Sequence, residues 1–168
     1  MRTYAGIGSR KTPVKILTYM TQLATYFESI GYTLRSGGAS GADSAFSCGC
    51  EIKTIYLPWH GFNNIQSGLN GVSTASLELA SHYHPAWDKL SSGAKKLMAR
   101  NMCQILGSNL DHPVDFVLCW TPDGAETSTS YTTGGTGQAI RLAIAHNIPV
   151  FNLANTDAHA RLCEFLSS

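Results

Sequence analysis

Short apolar runs alternate with longer amphipathic segments along most of this chain. The apolar runs have the length of buried β-strands, whereas the amphipathic segments repeat their apolar positions at helical spacing. From Ile16 to Ile30, apolar residues recur every three or four positions, and the pattern ends at Gly31, which is typical of a helix C-terminus. The pattern therefore predicts strands and helices in alternation.

About five short strands are predicted. They cover residues 3–7, 32–35, 53–57, 115–120 and 149–153. The first helix is predicted to begin with Thr12 as the N-cap and Pro13 at the first helical position, and to run to residue 30. The other predicted helices cover residues 43–50, 73–82, 89–106, 137–146 and 157–165. Residues 59–72 are rich in Asn and Gly and are predicted to form a surface loop that borders the site.

Strands that alternate with helices favour a parallel sheet with helices on both faces. We predict a single Rossmann-like doubly wound α/β domain over residues 1–168, with a mainly parallel sheet of about five strands flanked by helices. The composition agrees, because a chain of 168 residues that is 43% hydrophobic can enclose one sizeable core.

The charge balance limits the kinds of function that the chain can have. The chain has 12 Lys and Arg against 11 Asp and Glu, a net charge of +1, and no basic run. This balance argues against a protein that coats nucleic acid by neutralising many phosphates, although it is compatible with one basic pocket. A low charged fraction of 14% together with 16 glycines hints at subunit contacts or a large ligand crevice.

The cysteines and the N-terminal sequence argue against several other classes. Five cysteines without paired spacing, at positions 48, 50, 103, 119 and 163, predict neither a disulfide framework nor a zinc site. The segment MRTYAGIGSR lacks the apolar core of a signal peptide, and no segment is apolar for long enough to span a membrane. We expect a cytoplasmic protein with no membrane partner, no metal and no cofactor.

Three glycine-bearing segments follow predicted strands, and each leads into a predicted helix. They are GIGSR at 6–10, SGGASGAD at 36–43 and TTGGTGQ at 132–138. In a doubly wound sheet, ligands bind outside the carboxyl ends of the strands, where the N–H groups of helix N-termini suit phosphate. One such segment alone could be a plain turn, but three at one edge favour a phosphate-bearing ligand. No Gly-Lys-Ser/Thr occurs, which argues against a nucleoside triphosphatase.

The order of these motifs resembles the SLOG superfamily, which groups the Rossmann domain of the DNA-processing protein A (DprA/Smf) family with the LOG phosphoribohydrolases. The most specific segments are SGGASGAD, Arg100-Asn101 and TGGTGQA, and the likeness extends over nearly the whole chain. The chain looks most similar to short, stand-alone DprA-like proteins often encoded by phages. The resemblance implies a Rossmann-like fold, a nucleotide-derived ligand and a homodimer or higher homo-oligomer paired through helices beside the site.

The resemblance also implies roles for individual residues. Backbone N–H groups of the three segments would surround phosphates, with hydroxyl groups and arginines as further donors. Asp43 would hold a ribose hydroxyl or cap its own helix, and both roles stay open. The implied ligand-binding residues are Gly8, Ser9, Arg10, Arg35, Ser36, Gly37, Gly38, Ala39, Gly41, Asp43, Arg100, Asn101, Trp120, Thr133, Gly134, Gly135, Thr136 and Gly137.

Plainer roles compete with the ligand-binding roles of five of these residues. Arg10 could be a solvated loop charge, and Arg35 could form a salt bridge at a strand end. Arg100-Asn101 lies within an apolar helical run, which favours a buried polar role. Trp120 is the best candidate to stack on a base, although a large aromatic near a strand end is more often part of the core.

The LOG signature P-G-G-x-G-T-x-x-E is only partly present. Laid on residues 133–141, its glycines match, but Thr133 replaces the proline, Gln138 the threonine and Arg141 the glutamate. A cation cannot act as the carboxylate that stabilises an oxocarbenium-like centre, so the sequence disfavours hydrolysis. The acidic residues that could substitute from elsewhere are Glu51, Glu78, Asp123 and Glu126.

The leading hypothesis from the sequence is a protein that binds a nucleotide or nucleotide-derived ligand, such as an ADP-ribose-like or cyclic molecule. A phage-encoded copy would sequester such an immune signal in the host cytosol and so counter host defence. The alternatives are a LOG-like N-glycosidase that cleaves nucleoside monophosphates, and DprA-like binding of single-stranded DNA in recombination.

Overall fold

A parallel sheet organises the protein. The computed structural model describes residues 1–168. Its strands are β1 (Arg2–Gly6), β2 (Tyr32–Ser36), β3 (Lys53–Leu57), β4 (Leu69–Asn70), β5 (Phe116–Cys119) and β6 (Val150–Asn152). Every pairing is parallel, and the strand order is β4-β3-β2-β1-β5-β6. The predicted Rossmann-like α/β fold is confirmed, with six strands in place of about five.

Six helices cover the two faces of the sheet. They are α1 (Val14–Ser29), α2 (Ala42–Cys48), α3 (Thr74–Tyr83), α4 (Ser92–Leu106), α5 (Gly137–Ala145) and α6 (Ala158–Ser167). Helices α3, α4 and α5 pack on one face, and α1, α2 and α6 pack on the other. None of the six combines the length and the apolar character that a membrane-spanning helix needs.

Successive side chains of the central strands point alternately to the two faces of the sheet, and they contribute to a hydrophobic core on each face. In β5, Phe116 and Leu118 join the core beneath α1, α2 and α6, whereas Val117 and Cys119 join the core beneath α3, α4 and α5. Successive side chains of a strand point to opposite faces, so a strand buried on both faces must be apolar throughout. This double burial explains the unbroken apolar run in the sequence DFVLCW.

Three local predictions need correction. The predicted surface loop over residues 59–72 contains the two-residue strand β4, which pairs with the end of β3. Thr12 is not the N-cap of α1, because its hydroxyl donates to the Ser9 carbonyl at 2.6 Å and the helix begins at Val14, after Pro13. The helix predicted from residue 89 begins at Ser92, after a 3₁₀ turn over Trp87–Lys89.

The strand order reverses between β1 and β5. The chain builds outward from β1 through β2, β3 and β4, and then returns to β5 on the other side of β1. The loops after β1 and β5 run side by side, because Ile7 N–H donates to the Leu118 carbonyl and Ser9 N–H donates to the Trp120 carbonyl, each at 3.1 Å. Such a switch point is where doubly wound sheets leave a crevice for a ligand.

The aromatic cluster around Phe116 offers a test of the fold. Its fully buried ring lies 5.4 Å from that of Phe27 and 5.5 Å from that of Tyr4, measured between ring centroids. Phe116→Ala leaves a cavity, so we expect it to lower the free energy of unfolding by about 3–5 kcal/mol in urea denaturation. The control Tyr26→Ala removes an aromatic ring from a residue that is 51% exposed and should cost under about 1 kcal/mol. Equal losses in the two variants would contradict this account of the core.

Candidate functional site

A cleft lies at the carboxyl edge of the sheet, over the switch point between β1 and β5. We call it the switch-point cleft, and its volume is about 420 Å³. All three glycine-bearing segments contribute to its wall, and the side of α4 closes it. Its lining residues are Ile7, Gly8, Ser9, Arg10, Lys11, Ala39, Asp43, Leu97, Met98, Arg100, Asn101, Gln104, Pro122, Thr132, Thr133, Gly134, Gly135 and Thr136. The three segments therefore meet at one cleft, as the sequence pattern predicts.

The structure brings together most, but not all, of the residues implied by the sequence. The implied residues in the cleft wall are Gly8, Ser9, Arg10, Ala39, Asp43, Arg100, Asn101, Thr133, Gly134, Gly135 and Thr136. Those outside it are Arg35, Ser36, Gly37, Gly38, Gly41, Trp120 and Gly137. Sequence reasoning missed Lys11, which its position next to Arg10 could have suggested, and Gln104, one helical turn after Arg100.

The second segment uses its glycines mainly for packing within the protein. A Cβ on Gly37 would collide with the side chains of Arg100 and Gln104. Gly41 adopts a φ of +84°, and a Cβ there would lie 2.7 Å from the Cα of Arg10. These glycines are therefore required by neighbouring protein atoms, so the small residues of SGGASGAD do not by themselves indicate a ligand.

Arg100 and Asn101 connect the second and third segments. The Arg100 guanidinium donates from Nη1 to the Gly37 carbonyl and from Nε to Asn101 Oδ1, the latter at 3.0 Å. Asn101 Nδ2 in turn donates to the Gly135 carbonyl at 3.1 Å. Both side chains are buried, as their place in an apolar helical run predicts. Their hydrogen bonds hold the second and third segments in fixed positions relative to each other.

Asp43 is the carboxyl group of the cleft, and it is buried with 4% of its surface exposed. Its Oδ2 accepts from the Ala39 N–H at 3.2 Å, in the loop before the N-cap Gly41, so the carboxyl group holds this loop and does not cap α2. Burial raises the pKa of Asp43 to about 6, against the opposing effect of the nearby Arg100 cation. Burial lowers the pKa of Arg100, which Asp43 partly offsets. The two groups thus compensate each other's charge at the base of the cleft.

Among the residues that line the cleft, unpaired backbone donors come mainly from the first and third segments. The backbone N–H groups of Gly8, Arg10, Gly135 and Thr136 donate to no acceptor in the protein. The side chains of Arg10 and Lys11 are exposed in the same wall, and neither takes part in an ion pair of the chain. Amides and cations without partners, close to a helix N-terminus, suit a bound anion.

Several implied roles do not fit the structure. The Arg35 guanidinium donates to the His112 carbonyl at 2.6 Å, so it faces away from the cleft and cannot contact a phosphate bound there. Trp120 packs against the core beneath α1, α2 and α6, as the plainer interpretation has it. The hydroxyl of Thr133 already donates to Asp123 Oδ2 at 2.6 Å, and that of Ser36 donates to the Gly6 carbonyl.

The position of the missing LOG glutamate also lies outside the cleft. Arg141 donates to the Tyr83 carbonyl at 2.6 Å and to Gln138 Oε1 at 2.8 Å, so it joins α5 to the end of α3. The proposed substitutes do not line the cleft: Glu51, Glu78, Asp123 and Glu126. Asp123 accepts from the hydroxyls around it, and Glu126 pairs with Arg161 at 2.8 Å. No three His, Cys, Asp or Glu side chains are grouped so that they could hold a metal ion.

Comparison with solved structures agrees with the fold. The chain is similar to DNA processing protein A from Helicobacter pylori, whose structure is described in terms of a unique single-stranded DNA binding mode. The TM-score is 0.57 at 19% sequence identity, over 97% of this chain and 72% of that one. No protein-family model matches the sequence. No curated protein matches it. The likeness therefore establishes a DprA-like fold.

The buried Asp43 gives a test by pH. Because its pKa is about 6 when folded and 3.8 when unfolded, the folded state binds the proton more tightly. Its stabilising contribution is full below pH 3.8 and is lost as the pH rises through 6. We expect the free energy of unfolding of the wild type, relative to Asp43→Asn, to fall by about 2–3 kcal/mol between about pH 4 and pH 7.

Urea denaturation of both proteins across this range measures the difference. Asp43→Asn keeps an oxygen acceptor for the Ala39 N–H but removes the negative charge beside Arg100 at every pH, so the titration of Asp43 is measured by how the difference between the two proteins changes with pH. A constant difference between the two proteins at all pH values would show that Asp43 does not titrate in this range.

Proposed function

We propose that this chain binds single-stranded DNA and that a backbone phosphate of the strand occupies the switch-point cleft. One observation carries the proposal: unpaired amides and the free cations of Arg10 and Lys11 converge at the point where the strand order reverses. The DprA-like fold supports it, since a protein of that fold binds single-stranded DNA.

The two loops contribute in different ways to phosphate binding. The N–H groups of Gly135 and Thr136 lie at the N-terminus of α5, where the helix dipole favours a negative charge. Arg10 approaches from the β1 loop, and its planar guanidinium matches two phosphate oxygens at once. Phosphate contacts carry no sequence information, so the expected binding is independent of base sequence.

The rim of the cleft offers an aromatic side chain for an adjacent base. Tyr131 is fully exposed and begins the 3₁₀ turn Tyr131–Thr133, whose last residue lines the cleft. Exposed aromatic rings beside a basic groove are the usual means of holding single strands, because every base has a face on which to stack. This arrangement favours a strand over an isolated phosphate.

A second candidate is a nucleotide-derived small molecule, bound and sequestered as a phage counter-defence protein would do. The cleft volume of about 420 Å³ supports it, because small-molecule sites fall in this size range. The expected homodimer or higher homo-oligomer would serve either function. Cleavage of an N-glycosidic bond would have to use Asp43, which is the carboxyl group in the cleft.

Arg10 tests the proposal directly. Arg10→Ala removes a free cation from the cleft, so we expect it to weaken binding of a fluorescent oligothymidylate about tenfold and to reduce the salt slope by about 1. The measurement is fluorescence anisotropy over a range of salt concentrations. The matched control is Arg2→Ala, because Arg2 is an exposed arginine at the amino end of β1, whereas Arg10 lies in the loop beyond the carboxyl end of that strand.

The outcomes separate the candidates. Loss of affinity in Arg10→Ala but not in Arg2→Ala supports DNA binding at the cleft. A second outcome is that the wild type binds no oligonucleotide but keeps a nucleotide bound through purification. If heat denaturation releases that nucleotide intact, sequestration of a small molecule replaces DNA binding as the function. Release of free base from a nucleoside monophosphate, followed by chromatography, would instead indicate an N-glycosidase.

A further inference from the structure

A second pocket lies beside the switch-point cleft, at the carboxyl ends of β3 and β4. Its volume is about 410 Å³, and it shares no lining residue with the cleft. The side chains that give it chemical character are those of Trp59, His60, Gln66, Asn70 and Lys96. We call it the Trp59 pocket.

The two pockets lie on adjacent sides of helix α4. Lys96 lines the Trp59 pocket, and the next residue, Leu97, lines the cleft. Both pockets lie at the carboxyl edge of the same parallel sheet, one at β3 and β4 and the other at β1 and β5. A single extended ligand can therefore reach both.

Trp59 has the environment of a stacking platform. It is 41% exposed, which is unusual for so large an apolar side chain. Its ring packs at 86° against Phe62, with 5.3 Å between the ring centroids, and Phe62 is buried. The Arg100 guanidinium lies 5.6 Å from the centroid of the same Phe62 ring. Phe62 thus supports Trp59 and connects it to the wall of the cleft.

The charge of the Trp59 pocket also suits a nucleotide. Lys96 supplies a cation, and no carboxylate lines the pocket. Gln66 and Asn70 supply amide groups that can both donate and accept hydrogen bonds. An indole ring can stack on a base, a cation can pair with its phosphate, and amide groups can form hydrogen bonds with its polar edge.

We propose that the Trp59 pocket binds a base of the same DNA strand whose phosphate occupies the switch-point cleft. This inference rests on the proposed function and extends it, because it makes an oligonucleotide, and not a mononucleotide, the preferred ligand. The strand crosses α4 between the two pockets.

The test compares Trp59→Ala with Tyr26→Ala in binding a fluorescent oligothymidylate of about 12 nucleotides. Tyr26 is an exposed aromatic residue on α1, which covers the other face of the sheet. We expect Trp59→Ala to weaken oligonucleotide binding about tenfold or more and to leave the affinity for thymidine monophosphate unchanged. Trp59→Phe keeps an aromatic face and should restore most of the affinity, and circular dichroism confirms that each variant is folded.

The results separate failure of the second pocket from failure of DNA binding. If the oligonucleotide binds with dependence on Arg10 but Trp59→Ala behaves like Tyr26→Ala, the second pocket is overturned and DNA binding at the cleft stands. If Trp59→Ala weakens the monophosphate and the oligonucleotide equally, Trp59 acts within one shared site and the inference also fails. If the wild type binds no oligonucleotide at all, both proposals fail together.

Discussion

The buried guanidinium of Arg100 is the interaction on which the cleft depends. Burial of a charge costs several kcal/mol unless hydrogen bonds and an opposite charge compensate it. Here the compensation comes from the Gly37 carbonyl after β2, the Tyr56 carbonyl in β3 and the nearby Asp43 in α2. Because the partners belong to different elements, satisfying this one charge fixes the ends of two strands and a helix relative to α4. The shape of the cleft is thus a consequence of charge compensation within the protein.

That constraint divides the glycine-bearing segments into two kinds. In the second segment, the glycines make room for Arg100 and for the Arg10 backbone, so the loop is occupied by the protein itself. In the third segment, a Cβ on Gly134 would meet no atom within 4 Å, and the N–H groups that follow are unpaired. Glycine therefore makes room for neighbouring protein atoms in the second segment, whereas open space surrounds Gly134 in the third.

The sequence was sufficient for the class of fold and for the edge at which the segments meet, since both follow from strand and helix alternation. The bounds of β3, Lys53–Leu57, agree with the pattern in full. Strand β4 could not be predicted, because its two exposed residues carry no periodic signal and pair only through tertiary context. The direction of Arg35 was equally inaccessible: its register with Ala5 places it on the face covered by α4, and that register is a property of the assembled sheet.

The near-neutral net charge of +1 is compatible with DNA binding once the charges are located. Electrostatic attraction is screened over about 8 Å at physiological salt, so the charges within that distance of a phosphate matter more than the total. Arg10 and Lys11 are the exposed charged side chains in the cleft wall, whereas its carboxylate, Asp43, is buried beside the Arg100 cation. A DNA strand held by few phosphate contacts releases few counterions when it binds, so its affinity should be moderate and its binding easily reversed. Stacking of bases then has to supply much of the affinity, which is the physical reason to expect aromatic side chains next to so small a basic cleft.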